Sequence, residues 1–390
     1  EEEDVSSSSF SMKDIETTNT FCDTSPSALT DTLFELTGGI DIPKYCIPNP
    51  VPSSHLLDGP QQRRCYYLFV PPCASGLTPL VMDMHGASSC PLWATYYDRW
   101  VETSLKHCFA IFFPLGVLDP QIANDPCFSI PGGRNIQGLF KTRSCCCWHN
   151  GRRVNPRETQ DLVVIHRMIQ DIYTNQRITT LSKKQHRQNQ TESIKNITNS
   201  TFTTDTTTTT TTNREIAHID VTRLYMAGHS NGCLGALAMG NQFSSLVAAV
   251  CCHAAGNLVP FPRSYTPVPV MIVQGQKDDR IWHQFTKETY HSYGRQNQCD
   301  NETEQIIFGR RNNESSGDAM EYSHYNCVNN ANVTLLLLNE SGHIPYLNGF
   351  EVTEDAQMTT MDTTHMAWQF CSQYSKNQSE VSRLSLMLNN

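Results

Sequence analysis

The sequence has little positive charge and no long apolar run. Lysine and arginine total 29 against 38 acidic residues, so the formal net charge at pH 7 is -9. A nucleic-acid partner would require a basic stripe, so the composition argues against one. The longest apolar stretch, residues 246–256, is far shorter than the ~20 residues of a membrane-spanning helix. We therefore expect no membrane span. We also expect no lipid anchor, because the sequence shows no hydrophobic tail of the kind that precedes one.

Cysteine is abundant instead, with 16 residues in a chain of 390. Eight Asn-x-Ser/Thr sequons are also present, each of which is a weak signal alone. Together these features favour a secreted, disulfide-bonded protein over a cytosolic one with metal or redox cysteines. We expect that a signal peptide has been removed from this numbering. The predicted glycosylation sites are Asn189, Asn196, Asn199, Asn301, Asn313, Asn332, Asn339 and Asn377.

Composition also divides the chain into segments. Residues 1–20 are acidic and rich in Ser and Thr, which is typical of a disordered tail. Residues 21–58 form a Pro-rich extension, which two cysteines are expected to staple to the main domain at 59–376. Within that domain, residues 175–213 are polar and contain seven consecutive threonines, so we predict a disordered, glycosylated insertion. Residues 377–390 are a short C-terminal tail.

Short apolar strands alternate with amphipathic helices through the main domain. Strands are predicted at residues 65–70, 79–86, 109–113, 224–228, 246–252, 268–273 and 333–338, and helices at 93–106, 158–173, 231–242 and 360–374. Such alternation predicts an α/β fold, with a mainly parallel central sheet flanked by helices on both faces.

One motif lies where a predicted strand meets a predicted helix. Residues 228–232 read Gly-His-Ser-Asn-Gly and match G-x-S-x-G, in which a strained turn exposes a nucleophilic serine. The five residues alone are a weak signal, and a purely structural turn is the alternative. The apolar strand before the motif and the small residues after it favour Ser230 as a nucleophile.

The partners of such a serine follow it in the order acid, then histidine. Asp278 and Asp279 come just after the strand at 268–273, at the sheet edge where α/β proteins bind ligands. Asp278 is the preferred acid and Asp279 its rival. His343 follows the last strand in a Gly-containing loop, and this position favours it over His324 and His365.

These residue types have defined roles in acyl transfer. His343 would take the Ser230 proton and return it to the leaving alcohol, while Asp278 would fix the tautomer of the imidazole ring. Backbone N–H groups of Ala87 and Asn231 are the predicted oxyanion donors. No cofactor and no metal ion is expected, since the consecutive cysteines 145–147 favour disulfides over a tetrahedral metal site.

The same residues resemble those of a known group. Residues 223–232 are similar to the nucleophile segment of the polyhydroxybutyrate depolymerase and feruloyl esterase-like family of secreted esterases, related to carbohydrate esterase family 1. Further segments fit in order, namely 64–71, 79–86, Cys147-Trp148, the acid loop from Gly275 to Asp278, Gly342-His343 and the helix at 361–370. The resemblance covers about residues 59–374 apart from the insertion, and it implies the α/β-hydrolase fold.

This chain departs from that family at several positions near the expected site. Cys233 replaces a second glycine, and it would either tether the helix behind Ser230 or pack there as a buried thiol. The acid loop continues to Trp282 without the usual apolar-Pro run, and Ile344 replaces the tryptophan that often follows the histidine. Trp148 and Trp282 are candidates for an aromatic acyl site, with core packing as the alternative for each.

The sequence therefore predicts an extracellular serine esterase. The expected substrates are acyl or feruloyl esters on polysaccharides, or polyhydroxyalkanoate-type polyesters. A serine peptidase of the same fold would usually carry a large gating domain, and no such block is evident. A non-catalytic secreted glycoprotein would be expected to lose one of Ser230, Asp278 and His343, and all three are present. The oligomeric state stays open.

Overall fold

The computed structural model describes residues 42–48, 63–87, 91–118, 146–147, 160–184, 215–307, 318–347 and 359–377, with Thr37 and Ile40. The predicted tail at 1–20 and most of the predicted insertion lie outside these residues. So do Trp148 and four predicted glycosylation sites, Asn189, Asn196, Asn199 and Asn313. None of the helices in the described part combines the length and the hydropathy that a membrane span requires.

Ten of the strands form one mixed sheet. The strands are β1 (Lys44–Pro48), β2 (Arg63–Phe69), β3 (Leu77–Met84), β4 (Ala110–Pro114), β5 (Val117–Leu118), β6 (Cys146–Cys147), β7 (His218–His229), β8 (Ala249–His253), β9 (Val270–Gly275), β10 (Asn301–Ile307), β11 (Ala319–Tyr325) and β12 (Val333–Leu338). Their order in the sheet is β1-β2-β4-β3-β7-β8-β9-β12-β11-β10, and β5 pairs separately with β6. The six strands from β4 to β12 are parallel, and antiparallel pairs extend both edges.

Helices cover both faces of this sheet. They are α1 (Pro91–Asp98), α2 (Trp100–His107), α3 (Gln160–Thr174), α4 (Asn231–Gln242), α5 (His283–Gln296) and α6 (Thr363–Cys371). Successive β3 residues point to opposite faces, so Leu80 joins one core cluster and Val81 the other. The first cluster includes Ile165 of α3, and the second includes Trp100 of α2 and Trp368 of α6. The mainly parallel sheet with helices on both faces, as predicted, is confirmed.

Three regions differ from the sequence prediction. The predicted helix at 93–106 is two helices, because Arg99 adopts a left-handed conformation (φ 60°) between α1 and α2. The Pro-rich extension contains a strand, β1, which pairs with β2 and is joined to it by the Cys46–Cys65 disulfide. Residues 177–184, placed in the predicted insertion, are helical and bury Ile178 in the core.

Five disulfides join ten of the described cysteines. The pairs are Cys46–Cys65, Cys73–Cys108, Cys233–Cys252, Cys251–Cys371 and Cys299–Cys327. Neighbouring residues of β8 reach opposite faces of the sheet, so Cys252 ties β8 to α4 and Cys251 ties it to α6. Cys233 is therefore a tether of the helix behind Ser230, not a free buried thiol.

These pairs set an upper limit on free thiols. The five disulfides use ten of the 16 cysteines, leaving six. Thiol titration of the denatured, unreduced protein is expected to find no more than six thiols, whereas a matched, fully reduced sample should give 16. A higher count in the unreduced protein would contradict the pairing and the predicted oxidising compartment.

Candidate active site

Ser230 lies at the sharp turn from β7 into α4. Its backbone has φ 54° and ψ -118°, a conformation that residues with a side chain rarely adopt. The Ser230 N–H donates to the carbonyl of His253 on neighbouring β8 at 2.9 Å, which helps to hold the turn. The serine side chain is partly exposed at the carboxyl ends of the parallel strands.

The glycines of the motif allow close backbone contact around this turn. A Cβ atom at Gly232 would lie 1.9 Å from the carbonyl oxygen of Met84, and one at Gly228 would lie 2.7 Å from the Gly232 backbone. Backbone atoms cannot move aside as the end of a flexible side chain can. The spacing of the motif is therefore required by the packing of α4 on β3 as well as by the serine.

A chain of hydrogen bonds connects three of the predicted residues. His343, in the loop after β12, lies with its Nε2 atom 3.0 Å from Ser230 Oγ and its Nδ1 atom 2.8 Å from Asp278 Oδ2. Both His343 and Asp278 are buried, at 5% and 6% exposure. The structure thus brings together a hydroxyl, an imidazole and a carboxylate that are 113 and 65 residues apart in sequence.

The Asp278 carboxylate is held by several donors. Its Oδ1 accepts hydrogen bonds from the N–H groups of Arg280 at 2.8 Å and Ile281 at 2.9 Å, and its Oδ2 accepts one from Gln274 Nε2 at 2.8 Å. Burial acts to raise the pKa of Asp278, but the His343 charge and the hydrogen bonds outweigh it and hold the pKa below its ordinary value. An ionised Asp278 accepts from Nδ1–H of His343, which leaves Nε2 free to accept the serine proton.

The rival residues do not take part in this arrangement. Asp279 is exposed, so the hydrogen bonds favour Asp278 as the acid. His365 lies on α6 with its Nδ1 3.1 Å from Nε2 of His107. His324 lies on β11, where its ring stacks on Tyr290.

The two predicted oxyanion donors border the same turn. Asn231 is the first residue of α4, and the N-terminal end of a helix carries partial positive charge. Gly86, which precedes Ala87 in the loop after β3, is so close that a Cβ atom there would lie 3.6 Å from Ser230 Cβ. Backbone of the Ala87 loop and the first residue of α4 therefore both lie close to the serine.

His229 holds the loop that carries His343, and sequence reasoning did not predict this role. Its Nε2–H donates to the backbone carbonyl of His343 at 2.7 Å, and Tyr97 Oη lies 3.5 Å from its Nδ1. Burial, with the nearby His343 charge, lowers the pKa of His229 well below its ordinary value. A neutral His229 thus fixes the backbone of the histidine loop. The only sequence signal was its place as the second residue of the motif.

The other predicted site residues in the described part of the chain are exposed or partly exposed. Trp282 is 52% exposed directly before α5, so the core-packing alternative is wrong for this residue. Among the described sequons, Asn301 and Asn377 are exposed, and Asn332 and Asn339 are partly exposed. The exposure of Asn301 and Asn377 is compatible with a glycan at each.

Comparisons with known proteins give matches only at the level of solved structures. No protein-family model matches the sequence, and no curated protein matches it significantly. An acetyl xylan esterase from Aspergillus awamori is 11% identical, with 72% of this chain and 89% of that chain covered and a TM-score of 0.44. A CE1 ferulic acid esterase from Anaeromyces mucronatus is 16% identical (66% and 79% covered, TM-score 0.35). An S-formylglutathione hydrolase from Agrobacterium tumefaciens is 10% identical (78% and 91% covered, TM-score 0.38).

The fold assignment rests on this chain's own topology. The sheet order β2-β4-β3-β7-β8-β9-β12, with β2 antiparallel to its neighbour and the others parallel, places Ser230 after the central strand β7. An acid after β9 and a histidine after β12 complete the order that the G-x-S-x-G turn requires. The protein therefore has the predicted α/β-hydrolase fold.

Proposed function

We propose that this protein is a serine esterase that hydrolyses carboxylic esters, with Ser230 as nucleophile, His343 as general base and Asp278 as the residue that orients it. The hydrogen-bond chain from Ser230 through His343 to Asp278 carries this proposal. A serine hydroxyl is too weakly acidic to attack an ester unaided, and a neutral imidazole at 3.0 Å supplies the missing base.

The reaction proceeds in two acyl transfers. His343 Nε2 takes the proton of Ser230 Oγ as the oxygen attacks the ester carbonyl carbon, and the carbonyl π electrons move onto oxygen. The N–H groups of Ala87 and Asn231 stabilise this oxyanion, each contributing roughly 3 kcal/mol. The intermediate expels the alkoxide, which receives the proton from His343. Water, deprotonated by the same imidazole, then attacks the carbonyl carbon of the acyl-serine. As the bond from that carbon to Ser230 Oγ breaks, His343 returns the proton to Oγ and the carboxylic acid is released.

The proposed substrates are acyl or feruloyl groups on polysaccharides, or polyhydroxyalkanoate-type polyesters. Trp282 supports an aromatic acyl group or a sugar ring, because it follows the Asp278 loop and exposes half of its surface. An exposed aromatic face is a common platform for such rings. Trp148 is proposed for the same role from its place in the sequence.

We further propose that the protein acts outside the cell. Five disulfides are typical of an oxidising compartment, and the exposed sequon residues Asn301 and Asn377 are compatible with glycosylation there. Alkylation of unreduced protein taken directly from its native source, followed by mass spectrometry, tests both expectations at once.

A fluorophosphonate probe separates the proposed esterase from a non-catalytic glycoprotein of the same fold. Mass spectrometry is expected to find one labelled serine, Ser230, because the probe traps only a serine with an adjacent base. Panels of p-nitrophenyl esters, methyl ferulate, acetylated xylan, polyhydroxybutyrate and peptide amides then test the substrate class. Labelling without turnover of any ester, or turnover of peptides alone, would refute the proposed esterase.

Gly275 offers a separate test of the site geometry. A Cβ atom there would lie 2.0 Å from the carbonyl oxygen of Gly342, directly before His343. We expect Gly275→Ala to displace the His343 loop and lower kcat about 100-fold, since a shift near 1 Å can have that effect. Gly235→Ala is the matched control, because its Cβ meets only the flexible end of Met84. Equal kcat for both variants and the wild type would contradict the contact.

A further inference from the structure

A second group of chemically active side chains lies at the β10 edge of the sheet. The antiparallel hairpin β10–β11 packs beside α5, and in its register Glu302 faces His324 directly across the strands. His291 of α5 adds a third side chain, and we call these three residues the His291–Glu302–His324 cluster. None of them takes part in the hydrogen-bond chain of Ser230.

The cluster is compact. One potential ligand atom from each of its three residues lies within 4.8 Å of the other two. His291 Nδ1 and Glu302 Oε1 are 3.8 Å apart, and both side chains are about half exposed, at 48% and 45%, so they can adjust. A cavity of about 320 Å³ adjoins them and is lined by both residues together with Tyr290 and Tyr322. An ion bound here would have room for solvent ligands.

The His324 ring is held in place by its neighbours. It stacks on Tyr290 with ring centroids 4.3 Å apart, and it approaches α5 so closely that a Cβ at Gly294 would lie 2.4 Å from it. Its Nε2 atom is buried without a hydrogen-bond partner in the described part of the chain. Buried polar atoms normally have a hydrogen-bond partner, and a bound ion would satisfy this one.

The charges around the cluster are compatible with a cation. A second carboxylate, Glu304, lines the same cavity. The one lysine of the lining, Lys287, has its ammonium group 4.8 Å from the centre of the Tyr322 ring and 3.4 Å from its hydroxyl. Its charge is thus directed to Tyr322. Arg295 of α5, which does not line the cavity, is a second positive side chain near His324.

We propose that His291, Glu302 and His324 bind a divalent transition-metal ion, with zinc as the first candidate. Two imidazoles and one carboxylate suit zinc, and three protein ligands leave a position for water. This proposal differs from the sequence prediction, which expected no metal. The ion would join α5 to the β10–β11 hairpin, whose base is already closed by the Cys299–Cys327 disulfide. The helix α5 directly follows the Asp278 loop in the chain, so the ion would anchor that helix to the edge of the sheet.

The test is zinc binding by the purified, disulfide-intact protein after treatment with EDTA. Isothermal titration is expected to show one zinc ion per chain, and zinc should raise the Tm. His291→Ala is the key variant, because its exposed side chain can be removed without disturbing the core; we expect zinc affinity to fall at least about tenfold. Glu302→Gln should weaken binding in the same direction. His283→Ala removes another histidine of α5 and should leave affinity unchanged.

Cobalt(II) gives an independent readout of the same site. Visible absorption from a cobalt ion in a nitrogen and oxygen environment is expected for the wild type and for His283→Ala, and its loss for His291→Ala. If the wild type bound neither metal, or if His291→Ala and Glu302→Gln bound zinc as well as the wild type, the proposed site would be wrong. The result does not depend on ester hydrolysis, because the cluster shares no residue with the proposed active site.

Discussion

Ser230→Ala is expected to lower kcat for ester hydrolysis by about six orders of magnitude, to the rate that binding and the oxyanion donors support without a nucleophile. The hydroxyl oxygen is the atom that forms the acyl intermediate, and it lies 3.0 Å from Nε2 of His343, the proposed base. Alanine keeps the Cβ atom, so the turn at φ 54° is no more strained than with serine. The measurement is kcat on a p-nitrophenyl ester, with fluorophosphonate labelling alongside.

Two controls separate chemistry from folding. The Tm and the far-UV circular dichroism of Ser230→Ala should match those of the wild type, because the hydroxyl is partly exposed. Ser372→Ala, at an exposed position just after α6, should retain full activity and full labelling. Activity near the wild-type level in folded Ser230→Ala would remove the nucleophile assignment.

Sequence reasoning selected residues that the structure brings together where a local pattern is distinctive. The strand–turn–helix around Ser230 combines an apolar run with obligatory small residues, and Gly232 shows why, since no side chain fits against the Met84 carbonyl. His343 was chosen because it follows the last parallel strand, β12. The carboxyl ends of parallel strands lie at the same end of the sheet, so the loop after β12 can reach Ser230. Both inferences use the rule that the carboxyl ends of parallel strands lie at the same end of the sheet.

Elements without an apolar pattern were missed. Strand β10 has six exposed residues among its seven, so no alternation marks it in the sequence. The adjoining strand β11 is mostly half-buried and polar, and α5 is rich in polar residues. All three pack at the edge of the sheet, where tertiary contacts and the Cys299–Cys327 disulfide hold them. For the same reason the cluster that contains His324 could not be inferred from spacing.

The sequence favours Asp278 but leaves Asp279 as an alternative acid, since both follow β9 within one loop. The structure distinguishes them by backbone geometry, because the N–H groups of Arg280 and Ile281 turn toward Asp278. Turns of this kind depend on backbone angles that composition does not specify. The choice between the two acids therefore yields the second large prediction.

Asp278→Asn is expected to reduce kcat by about four orders of magnitude, which corresponds to about 5 kcal/mol of transition-state stabilisation. The amide can donate to Nδ1 of His343, and the ring then carries its proton on Nε2, which can no longer accept the serine proton. His343→Ala should reduce kcat about as much as Ser230→Ala, because these residues act as a unit. Asp279→Asn changes an exposed side chain and should keep kcat within about twofold of the wild type.

The comparison of these three variants distinguishes a catalytic role from a structural one. Asp278 accepts hydrogen bonds from Gln274, Arg280 and Ile281, and asparagine retains an oxygen for some of them, so the Tm should fall only modestly. A loss confined to kcat, with KM and fold preserved, is expected if Asp278 acts through the tautomer of His343. If Asp279→Asn proved the more damaging change, the acid would be Asp279 and the loop would have to rearrange when substrate binds. If His343→Ala retained activity, the base would have to come from outside the loop after β12.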